Sequence, residues 1–167
     1  METYILLDNI RSDHNVGPIF RTAECAGVGK IYCVGTTPVP IDRFGRKRKD
    51  FAKVSLGAEE LVSWERVNDG DISKIVKQLK KSGFKIVAVE QTGKSIDYSM
   101  FKKTHLDKKT HSINTKGVAY IFGNEVEGVS KELLKVADVA VEIPMKGKKE
   151  SLNVAVAAGV ILFNALN

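Results

Sequence analysis

Residues 143–163 read "IPMKGKKESLNVAVAAGVILF". A loop carrying Pro144, Gly147 and the lysines 146, 148 and 149 gives way to an almost wholly apolar segment, and one asparagine, Asn153, stands at the junction. The run from Val154 to Phe163 has about half the roughly 20 residues needed to cross a bilayer, so it reads as a helix packed inside a globular fold. Ser151 has the residue type and position of its N-cap, and the free N–H groups of the first turn face the loop. Asn153 then sits just inside the helix. A buried amide without partners costs about 1–3 kcal/mol. Either the core satisfies Asn153, or it serves something outside the core.

Working outward, Val139–Ile143 is a short apolar, β-branched run, and Tyr4–Leu7, Lys30–Val34, Lys85–Val89 and Val118–Phe122 resemble it. These runs are too continuously apolar to alternate, as expected of strands in a sheet covered on both faces. Between them lie helical patterns. Ile72, Ile75, Val76 and Leu79 mark one apolar face ended by Gly83, and Ser130, Glu132 and the run to Val136 give a short helix. Gly17-Pro18 reads as the opening of another, with Ile19, Phe20, Ala23 and Ala26 as its buried stripe before Gly27. The alternation predicts an α/β fold, a mostly parallel sheet with helices on both faces, with residues 1–167 as a single domain. The polar, lysine-rich stretch Thr92–Thr115 reads as a long surface loop with a little helix.

Composition agrees with that class. The chain has 167 residues, 43% of them hydrophobic, enough for one core. The N-terminus METYILLDN has no basic region ahead of a long apolar block, so a cytoplasmic location is expected. Cys25 and Cys33 lack CxxC spacing and read as reduced and buried. His14, His105 and His111 are scattered without an HExxH pattern, and no metal site is expected. The net charge of +6 suggests an anionic partner. Arg43, Arg46, Lys47, Arg48 and Lys49 form one basic cluster and Lys146, Lys148 and Lys149 another; alone, each fits a solvated loop equally well.

In an open parallel sheet, ligands bind beyond the carboxyl ends of the strands. Four segments follow expected strands directly: 8–16, 90–94, 123–128 and 144–150. In the first, Arg21 lies just beyond, off the apolar stripe, and fits either a surface pair with Glu24 or a guanidinium gripping phosphate or ribose oxygens. In the third, a strand runs into Gly123-Asn124-Glu125 and Gly128 closes the turn, a common local design that also suits close approach of a ligand. Neither GxGxxG after the first strand nor GxxxxGK[ST] occurs, and Ser151 has no GxSxG setting, which argues against classical dinucleotide, P-loop and serine-hydrolase sites.

Taken together, N-x-G-x-x-x-R at Asn15–Arg21, F-G-N-E-x-x-G at Phe122–Gly128 and I-P-M-x-G-x-x-x-S-L-N-V-A-V-A at Ile143–Ala157 resemble the three motifs of the SpoU family of RNA 2′-O-ribose methyltransferases, in the family's order. This family belongs to the SPOUT superfamily. The resemblance runs from Tyr4 to Phe163 and implies a C-terminal trefoil knot, S-adenosylmethionine held in loops at that knot, and a homodimer in which motif-one residues enter the partner's site. By motif, Gly123, Asn124, Ile143, Met145, Leu152 and, less directly, Thr92 would hold the cofactor. Asn15, Arg21, Glu125, Ser151 and Asn153 would surround the reacting ribose.

On this reading Asn153 serves the site. The resemblance makes Arg21 the activating residue, either as base or as a cation that stabilises the emerging alkoxide while phosphate or water takes the proton; arginine is a poor base. Ser151 and Asn153 would orient it, and Glu125 would fix the loop or Asn15. The RNA-binding domain appended in several relatives is not expected here, so Arg43, Arg46, Lys47, Arg48, Lys146 and Lys148, with Lys102, Lys103, Lys108 and Lys109, become the candidates for gripping RNA. Compact relatives modify tRNA, which places tRNA ahead of rRNA. A catalytically silent RNA-binding factor with the same fold is the alternative.

Overall fold

The computed structural model describes residues 1–105 and 115–166. Seven strands, β1 (Glu2–Asp8), β2 (Lys30–Val34), β3 (Trp64–Val67), β4 (Phe84–Val89), β5 (Ile96–Asp97), β6 (Gly117–Phe122) and β7 (Val139–Glu142), form one sheet in the order β3-β2-β1-β6-β4-β7-β5. Every pairing is parallel. Among the described residues six α-helices accompany them: α1 (Asp13–Cys25), α2 (Lys49–Ser55), α3 (Ile72–Lys81), α4 (Tyr98–His105), α5 (Lys131–Val136) and α6 (Val154–Leu166).

The continuous apolar runs are explained by a core on each side of the sheet. Along β6, Val118, Tyr120 and Phe122 point to one face, where they meet Phe20 of α1, Phe51 of α2, Phe101 of α4 and Ile161 of α6. Ala119 and Ile121 point to the other, with Val76 and Leu79 of α3 and Leu133 of α5. Both faces are therefore covered, as the sequence implied.

Several details differ from the sequence reading. Helix α1 begins at Asp13, not at Gly17: the Ser12 hydroxyl accepts from the His14 N–H at 3.2 Å and caps it, leaving Pro18 in the second turn. Asn15 consequently belongs to the helix. The cap of α6 is Asn153 rather than Ser151, its Oδ1 accepting from Ala155 N–H at 2.9 Å and Val156 N–H at 3.4 Å. Cys25 is exposed, while Cys33 is buried as expected. Within 92–115 the structure adds the edge strand β5 and α4; the side chains of Lys102 and Lys103, and all of Lys108, Lys109 and His111, fall outside the described residues. No helix among the described residues is long and apolar enough to cross a membrane.

Candidate active site

The carboxyl ends of β4, β6 and β7 open into a cleft of about 460 Å³. Its wall is apolar where strands end, at Val89, Phe122, Val141 and Ile143, and polar where the following loops turn over it. Gly123, Asn124, Glu125, Ile143, Met145, Ser151, Leu152 and Asn153, all expected at the site, line it. The three segments come from widely separated sequence, and the parallel sheet brings them to one edge because every strand ends there.

Glycine is required where β6 meets the loop. A Cβ on Gly123 would fall inside the backbone of Gly128 and Val129, and one on Gly128, at φ +71°, would meet the Glu90 carboxylate. The turn is closed by Asn124 N–H to Gly128 O at 3.0 Å and Gly128 N–H to Asn124 O at 2.9 Å. Asn124 is 7% exposed. Its Nδ2 donates to Asn9 O at 2.7 Å and its Oδ1 accepts from Val126 N–H at 2.9 Å, so its amide shapes the loop. The Glu90 carboxylate braces the same turn by accepting from Val129 N–H at 2.8 Å. Gly123→Ala is accordingly expected to lower stability by about 1–3 kcal/mol through overpacking and to distort the cleft. Thermal melting together with ligand titration checks this; an unchanged melting temperature would contradict it.

The motifs are joined by side-chain amides. Glu125 Oε1 accepts from Asn15 Nδ2 at 2.7 Å, and Asn15 Oδ1 accepts from Asn153 Nδ2 at 2.8 Å. A carboxylate can only accept, so Asn15 must turn its NH₂ toward Glu125 and its oxygen toward Asn153. That leaves the Asn153 oxygen for the N–H groups of α6. Partial burial raises the Glu125 pKa, but hydrogen bonds from Asn15 and from the backbone N–H groups of Glu125, Arg11 and Ser12 outweigh it and hold the carboxyl below its ordinary range.

Not every expected residue is in the cleft. Thr92 lies outside the lining and forms a turn with Ser95, its N–H donating to Ser95 Oγ at 3.0 Å. Arg21 also lies outside, exposed on α1. Among the described residues it makes no ion pair, with Glu24 or any other acid, so the surface-pair reading finds no support. The cluster from Arg43 to Arg48 is largely paired: Arg46 with Asp42 at 2.8 Å, Lys47 with Glu60, and Arg48 with Asp13 at 2.5 Å and Asp50 at 2.7 Å. Lys146 and Lys148 are exposed in the loop that contributes Met145.

Sequence reasoning missed Glu90 and Glu142, which both line the cleft. Glu90 directly follows a strand and Glu142 ends one, so the carboxyl-end rule held the signal. With Glu125, the lining carries these carboxylates and, among the described residues, no Lys, Arg or His. Such a cleft suits a cationic group and disfavours a bare phosphate.

A parallel α/β fold with this loop-built cleft at its carboxyl edge defines a class, and the chain belongs to the SpoU rRNA Methylase family, whose model matches residues 2–163. The tRNA (guanosine(18)-2′-O)-methyltransferase of Aquifex aeolicus is 32% identical to it over 161 residues, 96% of this chain and 67% of that protein. The corresponding enzyme of Thermus thermophilus is 36% identical over 162 residues, 96% of this chain and 72% of that one. The AdoMet-bound rRNA methyltransferase structure from Sinorhizobium meliloti superposes with a TM-score of 0.78 at 33% identity, covering 98% of this chain and 55% of that one. This chain thus spans about half of that protein.

Proposed function

We propose that this protein transfers a methyl group from S-adenosylmethionine to a ribose 2′-hydroxyl in structured RNA. The observation that carries the reading is the acidic, base-free cleft tied through Asn15 and Asn153 to the first and third motifs. At neutral pH S-adenosylmethionine carries a sulfonium, an ammonium and one carboxylate, a net cation that matches Glu90, Glu125 and Glu142. The apolar wall of Val89, Phe122 and Ile143 suits an adenine face. Thr92 has no part in this reading.

When bound, S-adenosylmethionine supplies an electrophilic methyl on a sulfonium that leaves as a neutral thioether. The chain must align the 2′-oxygen with that methyl and deal with the hydroxyl proton. A guanidinium stays protonated under ordinary conditions, so Arg21 acts here as the cation that stabilises the developing alkoxide, and phosphate or water accepts the proton. Ser151 and Asn153, at the mouth of α6, orient the ribose, and Glu125 fixes Asn15.

Arg21 reaches a ribose only if another copy brings it there. Helix α6 carries no charged residue, yet Val156 is 53% exposed along it. A helix with Asn164 as its one polar side chain calls for cover. A homodimer built on α6 and the neighbouring α1 would hide that face and carry Arg21 toward the partner's cleft. The knot implied by the family motifs belongs to the same reading.

The basic charge suits any RNA, and the two tRNA-modifying relatives place tRNA ahead of rRNA as substrate. Labelled methyl transfer to tRNA and to rRNA prepared from cells lacking this protein tests it. Label confined to tRNA is expected; label confined to rRNA would move the substrate, and S-adenosylmethionine binding without labelling of any RNA would support the catalytically silent reading.

A further inference from the structure

The loop between β2 and α2 holds an aromatic ring out into solvent on a braced turn. Ile41 and Lys47 pair as an antiparallel bridge, and Asp42 N–H donates to Arg46 O at 2.9 Å. The Asp42 carboxylate then accepts from Phe44 N–H at 2.8 Å, Arg46 N–H at 2.9 Å and Arg46 Nε at 2.8 Å. At the tip Phe44 is 66% exposed, with the guanidinium carbons of Arg43 and Arg46 at 4.7 Å and 5.0 Å from its ring centre. So much hydrogen bonding to fix an exposed phenyl ring does nothing for the core, which lies elsewhere.

The base of the loop is as firmly set. Arg48 Nη2 bonds Asp13 at 2.5 Å, at the start of the helix that carries Asn15 and Arg21, and Thr37 Oγ1 donates to Leu7 O at 2.8 Å. Because β2 is parallel to β6 and two places from it, the loop leaves the same edge of the sheet as the cleft, about 10 Å along. The ion pairs also divide the cluster by role. Arg48 and Lys47 hold the loop, Arg46 has only its Nε engaged with Asp42, and Arg43 has no ion pair among the described residues.

An exposed apolar ring with two guanidinium groups lying over it complements a ligand whose negative charge draws those groups aside and whose π face takes their place on the ring, which describes a nucleotide with an unstacked base. A base inside a duplex already has its faces covered, so the complement is a single-stranded or looped segment. We propose that Phe44 is a stacking platform for an unpaired nucleobase of the RNA, with Arg43 and Arg46 taking the flanking phosphates. This rests on the RNA-substrate reading above.

The test measures binding of the full chain to a labelled oligouridylate and to an RNA duplex of the same length, by fluorescence anisotropy, with sedimentation recorded for each variant. Phe44→Leu keeps an apolar side chain and removes the π face; it should weaken oligouridylate binding about 10-fold while Phe44→Trp keeps or improves it. Duplex affinity and S-adenosylmethionine affinity should stay within about twofold for both, since neither involves stacking on the tip. Oligouridylate affinity unchanged in Phe44→Leu overturns the platform and leaves the methyltransferase reading standing. A change in oligomeric state on substituting Phe44 would assign the ring to a second copy of the chain and also overturn it. Wild-type protein that binds neither RNA would remove the substrate reading, and the platform with it.

Discussion

Replacing Arg21 by alanine is expected to lower kcat for methyl transfer by about 100- to 1,000-fold or more, the scale of losing one group that meets developing charge. Affinity for S-adenosylmethionine should stay within about twofold, because a side chain that meets only the ribose oxygen adds nothing to cofactor binding. The expectation rests on Arg21 being exposed, unpaired with Glu24 and outside the cleft lining of its own subunit. A residue placed for stability on that helix would show a partner or burial. Arg21→Lys keeps the charge and loses the planar fork, so it should fall between wild type and alanine. If Arg21 serves the neighbouring subunit, mixing Arg21→Ala protein with a folded variant whose cleft is distorted by Gly123→Ala should restore activity in the mixed dimer. Single-turnover kinetics on the substrate RNA measure the first effect, and residual turnover above about a tenth of wild type would refute the role.

The second large effect belongs to Glu125. It anchors a chain of amides whose direction follows from one fact, that a carboxylate only accepts. Glu125→Ala frees Asn15 Nδ2, and with it the orientation of Asn15 Oδ1 toward Asn153. It also releases Arg11 N–H, held at 3.3 Å by the other carboxylate oxygen. Loose positioning of this kind costs about 10- to 100-fold in kcat. Asn153 keeps its bonds to the first turn of α6, so the melting temperature should change little. Glu125→Gln is the sharper probe: its amide can present either a donor or an acceptor to Asn15, so the fixed direction of the chain is lost with almost no change in shape. A kcat within about twofold of wild type in both variants would show that the network only decorates the loop.

The sequence carried much of this because burial on both faces writes itself as uninterrupted apolar runs, and β1, β2, β4, β6 and β7 were legible for that reason. Trp64–Val67 was not: as the edge strand it buries little beyond Val67, and its Glu and Arg break the run. The two residues of β5 are too few to leave a pattern. Pro18 points to a helix start by its own chemistry, but Ser12 and Asp13 supply a better one a turn and a half earlier. The choice between Ser151 and Asn153 as cap was hidden because it depends on Asn15, 138 positions away in sequence. Shorter separations concealed the partners of Arg48 and Lys47: Asp13, 35 positions away, and Glu60, 13 away, lie in other elements, so a basic run that reads as a free surface is mostly engaged in holding a loop. The acidic character of the cleft was recoverable in principle from Glu90 and Glu142 at strand ends, and local pattern gave no reason to group them.

The most direct test of the central claim is where the transferred methyl resides. RNA labelled by the protein with S-adenosylmethionine is digested completely with alkali, which cleaves a phosphodiester only beside a free 2′-hydroxyl. The label is expected to emerge in an alkali-stable dinucleotide. Label recovered in mononucleotides would place the methyl on a base and contradict the proposed chemistry.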